Sequence, residues 1–198
     1  MPLPWTLTRL SGPRVVVDLL REDDLDALAA IQSDPDICRY MLYEPRSRER
    51  VAQLIAESMP LDTLTADGDD MQPAIRLADG TLIGTLYVKL VSAADRQAEI
   101  GWALSPAAQG RGYAAEAASV LLDALFGDAG LHRVRADLDP RNTASIALCR
   151  RLGMREEALF REDLWFKGAW GDTAVYAILD REWRARRGGV AGDAPGVA

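Results

Sequence analysis

One histidine, His132, and two cysteines, Cys38 and Cys149, are all the soft metal ligands in this chain of 198 residues. Zinc and iron sites draw several such side chains to one point. A lone histidine among scattered acids therefore offers no metal-ligating cluster, and two cysteines make no disulfide framework. Few thiols fit a reducing, intracellular setting. No stretch approaches the roughly 18–20 apolar residues that span a bilayer, and Met1 to Arg9 lack the charged segment and apolar core of a secretory leader. The cytoplasm is the expected location, with no membrane partner. Basic excess is missing too: 23 Lys and Arg stand against 30 Asp and Glu, a net charge of −7. Nucleic-acid binding needs a basic stripe facing the phosphates, so no nucleic-acid partner is expected. An acidic surface favours cationic partners, amines among them.

A hydrophobic fraction of 48% is enough for a buried core without staples. We read residues 1–187 as one domain and the Gly/Ala/Pro-rich residues 188–198 as a disordered tail. Strands are predicted at Arg14–Leu19, Ala74–Ala78, Leu82–Val91, Glu99–Leu104, 133–138, 157–166 and 173–179. Asp79-Gly80 marks a hairpin between the second and third. Helices are predicted at Glu22–Ser33, from Ser47 as N-cap to Ser58, at Arg111–Phe126, at Thr143–Leu152 stopped by Gly153, and at Asp180–Arg187. Pro35 is read as ending the first helix and 60–71 as a loop. The order argues for one mixed α/β domain. It is not a dinucleotide-binding fold, whose glycine fingerprint would follow the first strand of a repeating unit.

Two segments carry chemistry. Gln109-Gly110-Arg111-Gly112-Tyr113-Ala114 lies between the fourth strand and an apolar helix. Its glycines allow a tight turn that converges backbone N–H groups, and the helix N-terminus adds about half a positive charge. Such a loop suits a phosphate or pyrophosphate. In the helix 143–152, Ala144, Ala147, Leu148 and Leu152 share one arc, expected to face the sheet. Asn142, Ser145 and Cys149 share another and present an amide, a hydroxyl and a thiol in line, suited to a linear ligand with amide groups. Asn142 also reads simply as the helix cap.

These residues resemble the GNAT acyltransferase superfamily, and within it the subgroup containing ribosomal-protein alanine N-acetyltransferases. The resemblance rests on the glycine loop with Glu116, on Glu99-Ile-Gly-Trp102, Asp139-Pro-Arg-Asn142 with Ser145, Arg151-Leu-Gly-Met154, Lys167-Gly-Ala-Trp170 with Asp172, and Glu182-Trp183. It spans about residues 7–184. It implies a central, mostly antiparallel twisted sheet of about seven strands, splayed between the fourth and fifth and flanked by about four helices. It also implies acetyl-CoA as cosubstrate and transfer of its acetyl group to an amine. In that picture the backbone of Gln109, Gly110, Arg111, Gly112, Tyr113 and Ala114 holds the pyrophosphate, and Asn142 and Ser145 meet the pantetheine arm. A main-chain N–H near Ala103 or Leu104 stabilises the oxyanion, a contribution of roughly 3–4 kcal/mol.

An ammonium has no lone pair, so the amine must first lose a proton to a carboxylate or a water chain. Glu99 can act through water, or be an exposed strand carboxylate. Asp137 resembles in position a catalytic glutamate of one alanine-acetylating relative, or pairs with a neighbouring arginine. Cys149 stands where many relatives have a tyrosine that protonates the leaving thiolate; its own thiol could do so, or it is a small core residue. His132 is expected to be structural, and the five tryptophans are expected to be core residues more than ligand platforms. Tyr40, Tyr43 and the 60–71 loop are candidates for the acceptor side. The acceptor stays open between a protein N-terminal amine and a small amine such as an antibiotic or polyamine. A homodimer is possible. Two non-enzymatic readings also remain: an acyl-CoA sensor, and a nucleotide-phosphate module, the latter weakened by the missing Lys-Ser/Thr after the glycine loop.

Overall fold

Side chains alternate along the long strands, and this alternation builds the two faces of the sheet. The computed structural model describes residues 3–190. Its strands are β1 (Trp5–Thr6), β2 (Leu10–Ser11), β3 (Val15–Asp18), β4 (Thr63–Leu64), β5 (Asp70–Met71), β6 (Ala74–Leu77), β7 (Leu82–Ser92), β8 (Gln97–Leu104), β9 (Arg133–Leu138), β10 (Arg155–Phe166) and β11 (Ala169–Leu179). Its helices are α1 (Leu25–Gln32), α2 (Pro35–Cys38), α3 (Arg48–Ser58), α4 (Tyr113–Gly127), α5 (Thr143–Leu152) and α6 (Asp180–Val190). The main sheet runs β10-β11-β9-β8-β7-β6-β3-β2, with β5 added along β7; β1 and β4 form a separate ribbon. Every pair is antiparallel except β8 with β9.

One face carries Ala98 and Ile100 of β8 and Val134 and Ala136 of β9, all buried with Ala117, Leu121 and Leu125 of α4. Each leucine so enclosed contributes about 1.5–3 kcal/mol. On the other face Leu28 of α1 and Val51 and Ile55 of α3 cover Ala74 and Leu82. Beneath that layer Arg76, itself buried, donates to Asp18 at 2.7 Å and to both oxygens of Asp24.

The seven long strands lie where the residue pattern puts them. The four extra strands are two residues each, too short to show alternation. Two of these, β4 and β5, fall within the expected 60–71 loop. Six helices among the described residues stand beside the five read from the residue pattern and the about four that the resemblance implies; the addition to the pattern is the single turn α2. The first helix ends at Gln32, before Pro35 as expected, and Pro35 itself opens α2 at the position where its missing N–H costs nothing, while Asp34 caps that turn by accepting from Asp36 and Ile37 N–H at 2.8 and 3.3 Å. The helix expected at Glu22 starts as a tighter turn over Glu22–Asp24. At the other end α6 continues through Val190, so the tail expected from 188 is helical at its start; the rest of that tail lies outside the described residues. Tertiary contacts hold α6: Trp183 is buried and donates to Asp123 at 2.8 Å, Arg187 pairs with Asp123, and Arg184 reaches the Phe126 carbonyl. The arginines at 184, 186 and 187 dock this helix onto α4 and α5.

Glu116, in the first turn of α4, fastens that helix to β3. Its carboxylate accepts from Arg14 N–H at 2.5 Å, Val15 N–H at 3.1 Å and Arg14 Nε at 2.8 Å. Burial alone would raise its pKa, but the hydrogen bonds from Arg14 and Val15 win and hold the carboxyl below its ordinary range. A depressed folded pKa contributes stability above the unfolded value, near 4.3, and loses it as pH falls through the folded value. Glu116→Gln should cost about 1.5–3 kcal/mol at neutral pH and flatten the acid limb of the stability curve. Urea unfolding of both proteins from neutral to acid pH checks this.

Candidate active site

β8 and β9 pair only through Gln97 with Arg133, Ala98 with Val134 and Glu99 with Arg135. Past that point β8 runs on to Leu104 held by β7, and β9 runs on to Leu138 held by β11. The strands part and leave a wedge. Because they are parallel, the segments that leave their C-terminal ends arrive at the same open mouth: the glycine loop and α4 after β8, and α5 after β9.

Strand alternation settles which backbone groups face the wedge. The Ser105 N–H donates to Ile83 O at 2.9 Å, toward β7. The Ala103 carbonyl also points there, lying 2.3 Å from where a side chain on Gly84 would begin, so glycine is needed at 84. Ala103 therefore spends its backbone groups on β7. Leu104, one residue on, turns its N–H and carbonyl to the opening, and its carbonyl accepts from Gln109 Nε2 at 3.0 Å. Of the two candidate oxyanion donors, geometry favours Leu104 over Ala103.

In the loop, Gly110 and Gly112 hold φ of +71° and +83°, a region side chains enter only with strain. Gly112 occupies the N-cap of α4 with no side chain bonded to the first-turn N–H groups. Those donors and the dipole are thus presented to an anion. Arg14 braces the loop from behind: it donates to the Arg111 carbonyl at 3.1 Å and stacks 4.8 Å from the centre of the Tyr113 ring. Ala114 packs against the core.

The helix α5 is turned differently from its expected arc. Ala144 and Ala147 are exposed, while Cys149 and Leu152 are buried and Ser145 is half-buried. Alanines bury too little surface to fix a helix's rotation, so larger neighbours decide it. Asn142 caps the helix, its Oδ1 accepting from Ser145 N–H at 3.1 Å, and Trp102 reaches across the wedge to donate to Ser145 Oγ at 3.1 Å. Cys149 is 0% exposed, inside the main core. Burial pushes its thiol up to about 12, so it keeps its proton at neutral pH. This geometry is that of the small core residue and gives the thiol no path to the wedge surface.

Glu99 and Asp137 do come together. Arg135 bridges them, its Nη2 3.0 Å from Glu99 and 3.3 Å from Asp137, where β8 and β9 separate. By alternation all three side chains lie on the face opposite Trp102. Burial first, then repulsion from Glu99, raises the Asp137 carboxyl above its ordinary range, against the pull of Arg135 and Arg133. The arginine partner expected for Asp137 is thus Arg135, and it serves Glu99 as well.

Tyr87, opposite Gly101 in the register, carries no signal in the sequence because it sits in an ordinary strand pattern. Burial, with Asp70 and Glu99 near, pushes its hydroxyl up to about 12. Tyr43 lies beneath the Arg46 guanidinium, 3.7 Å from ring centre, in the segment between α2 and α3. Lys167, at the tip of the β10–β11 hairpin, donates to Cys38 O at 2.6 Å and ties the hairpin to α2. His132 stands at the far end of β9 from the wedge, 3.5 Å from Asp180. Trp5 and Trp183 are core and Trp102 is half-buried, but Trp165 and Trp170 are exposed, contrary to expectation. Among the described residues no group of three or more His, Cys, Asp or Glu could hold a metal, and no helix is long and apolar enough to cross a membrane.

Known proteins share this arrangement. Residues 14–155 match the family model described as an acetyltransferase (GNAT) domain. The uncharacterized N-acetyltransferase YnaD of Bacillus subtilis is 30% identical over 175 residues, covering 88% of this chain and 98% of that protein. Spermidine N(1)-acetyltransferase of Escherichia coli is 24% identical over 84% of this chain and 86% of its own length. Mycobacterium smegmatis RimJ, solved in complex with CoA-disulfide, superposes with a TM-score of 0.77 at 26% identity over 96% of both chains. With a parted parallel strand pair, a glycine loop at its mouth and a family match over most of its length, this chain belongs to the GNAT family and is an N-acetyltransferase.

Proposed function

We propose that the chain binds acetyl-CoA across the mouth of the wedge and acetylates a primary amine entering from the Glu99–Asp137 face, by direct attack. The parting of β8 and β9 immediately after Glu99 and Arg135 carries this reading. It leaves the anion-ready loop and the helix cap at one end and the carboxylates at its apex.

Bound acetyl-CoA supplies an activated thioester. The residues of this chain do the rest. Backbone N–H groups around Gly110–Ala114 and the uncapped start of α4 fit a pyrophosphate, with the +φ glycines keeping the loop clear of side chains. Asn142 and Ser145 line the wedge beside the linear arm. The Leu104 N–H faces the site where negative charge develops. Asp137, its proton affinity raised by its surroundings, and Glu99 accept the amine's proton directly or through water. Cys149 takes no part. Holding amine and thioester together supplies much of the rate.

For the acceptor, the residues resembling alanine N-acetyltransferases and a similarity to the ribosomal protein uS5-alanine N-acetyltransferase of Escherichia coli favour a protein N-terminal α-amine. A polyamine is the second reading. It is supported by the acids Asp70 and Glu99 near Tyr87, by Asp137 near Glu99, and by the similarity to spermidine N(1)-acetyltransferase.

Peptides with N-terminal Ala, Ser or Met, polyamines and aminoglycosides, each incubated with acetyl-CoA and weighed by mass spectrometry, test this. One acetyl increment on the peptides is the expected outcome. An increment on spermidine alone would replace the first reading by the second. Intact acetyl-CoA with every amine would favour a sensor.

Gly112→Val forces a branched side chain into positive φ and should weaken acetyl-CoA binding at least tenfold, an estimate of about 1–2 kcal/mol of strain. Calorimetric titration reads it, and unchanged affinity would remove the loop from the site. Asp137→Asn should lower kcat/KM on the order of 100-fold. Arg135→Met removes the positive charge that favours the ionised form of Asp137, raising its pKa further. A base works deprotonated, so the acid-side limb of kcat/KM should move to higher pH. An unmoved limb would mean that Asp137 is not the base.

A further inference from the structure

Gly101 leaves a gap in a row of polar side chains. The register sets Tyr87 opposite Gly101 and Lys89 opposite Glu99, with Glu99 beside Arg135. Two residues further along the parallel pair Gly101 comes level with Asp137, but there the strands have parted. Tyr87, Gly101 and Asp137 thus form one line across the sheet, on the face that Glu99 shares. A side chain built on Gly101 would meet only Tyr87, its Cβ at 3.6 Å and its Cδ1 at 4.0 Å; beyond the neighbours in the chain, no other atom of the described residues lies within 4 Å.

The space over Gly101 is therefore a bay with a bare backbone floor and three polar walls. Arg135 draws two of them together by engaging Glu99 Oε2 and Asp137 Oδ2, so the other oxygen of each is left to accept. Tyr87 is the third. Diagonal neighbours on one face lie about 7–8 Å apart, within reach of long side chains. Tyr87 has Glu99 on one diagonal and, because Asp70 pairs with Lys89, Asp70 on the other. Its hydroxyl has no hydrogen-bond partner among the described residues, and burial keeps its proton in place up to about pH 12. It is no base. A phenol among carboxylates donates its one O–H to one of them and keeps its lone pairs for an incoming donor.

We infer that this bay holds the acceptor's ammonium and selects a primary amine, with Tyr87 fixing the orientation of the nitrogen. The inference rests on the direct-attack reading above and adds where the nitrogen sits and what aims it. A primary ammonium brings three N–H bonds to the three acceptors Tyr87 Oη, Glu99 and Asp137. One proton passes to a carboxylate, directly or through water. The freed lone pair bonds to the acetyl carbon, the C–S bond breaks, and a second N–H proton ends on the departing CoA sulfur. The third N–H, held by Tyr87, stays in the product amide. A secondary amine has no third N–H and sets a methyl group against the phenol hydroxyl instead.

Competition between a peptide with N-terminal Ala and its N-methyl-Ala form for limiting acetyl-CoA tests the inference, read by mass spectrometry as the ratio of acetylated products. Where the panel above selects spermidine, spermidine and its N1-methyl form replace the peptides. A ratio within one tube is independent of how much of the chain is folded. The parent chain should favour the primary amine on the order of 100-fold or more, since a site built to pair an N–H rejects a partner lacking it. Tyr87→Phe keeps the ring and should lower kcat/KM for the primary amine on the order of 10- to 100-fold, with a matching fall in the ratio and unchanged acetyl-CoA affinity. Gly101 holds no positive φ, and a β-branched residue suits a strand. Gly101→Val should therefore fold, fill the bay and raise the KM of the amine on the order of tenfold or more, with circular dichroism and acetyl-CoA affinity unchanged. A parent chain that acetylates both amines equally overturns the bay as a primary-amine site while acetyl transfer itself stands. A ratio that Tyr87→Phe leaves unmoved removes Tyr87 from it, and an unmoved KM in Gly101→Val places the nitrogen elsewhere. A parent chain that acetylates no amine removes the underlying reading and the inference with it.

Discussion

The shortness of one strand pairing underlies the rest of the site. β8 and β9 share three register pairs and then separate. Parallel strands need a crossover, here α4, and the crossover places the ends of both strands at one edge of the sheet. The glycine loop, the start of α4 and the cap of α5 converge there without any contact designed between them in sequence. Had the pairing continued to Leu104, hydrogen bonds would consume the Leu104 N–H and no gap would separate Trp102 from Asp137. The fold tolerates the missing bonds because β7 and β11 hold the outer sides of the two strands.

Charge accumulates where the pairing stops. The side chains of Glu99, Arg135 and Asp137 are partly covered around the apex, and Arg135 Nε has no hydrogen-bond partner among the described residues. An arrangement with an orphan donor and two carboxylates around one guanidinium is poor as a stabilising network. The same arrangement raises the Asp137 carboxyl, in keeping with the proton-accepting role proposed for it. The buried Arg76 with Asp18 and Asp24 makes the contrast: every strong donor there is directed at an acceptor, on the side of the sheet that only supports helices.

Two parts of the molecule thus follow different rules. The sheet from β3 to β9 and its helices enclose a core and hold the wedge in place, with Glu116 and Arg14 bolting the loop to the first long strand. The β10–β11 hairpin leaves the body with its aromatics exposed, fastened at the tip by Lys167. The second half of β11, Ala174 to Leu179, is buried, whereas β10 and the start of β11 lie outside the core, and Trp165 and Trp170 are exposed there.

Much of this was legible in the residue order. Alternation along Gln97–Leu104 and 133–138, the hairpin at Asp79-Gly80, the Ser47 cap and the Gly153 stop are local effects of side-chain size, backbone freedom and short-range hydrogen bonds, and all stand in the structure. The glycine loop before α4 was equally plain, because only glycine accepts those φ values cheaply. Tertiary structure decided the rest. The rotation of α5, and with it the burial of Cys149, depends on packing that two alanines cannot specify. The choice of Leu104 over Ala103 depends on which neighbour strand takes each N–H. The joining of Glu99 to Asp137 through Arg135, and the exposure of Trp165 and Trp170, arise between residues distant in the chain. Such contacts depend on which strands are neighbours, a property of the assembled sheet that no local run of residues contains.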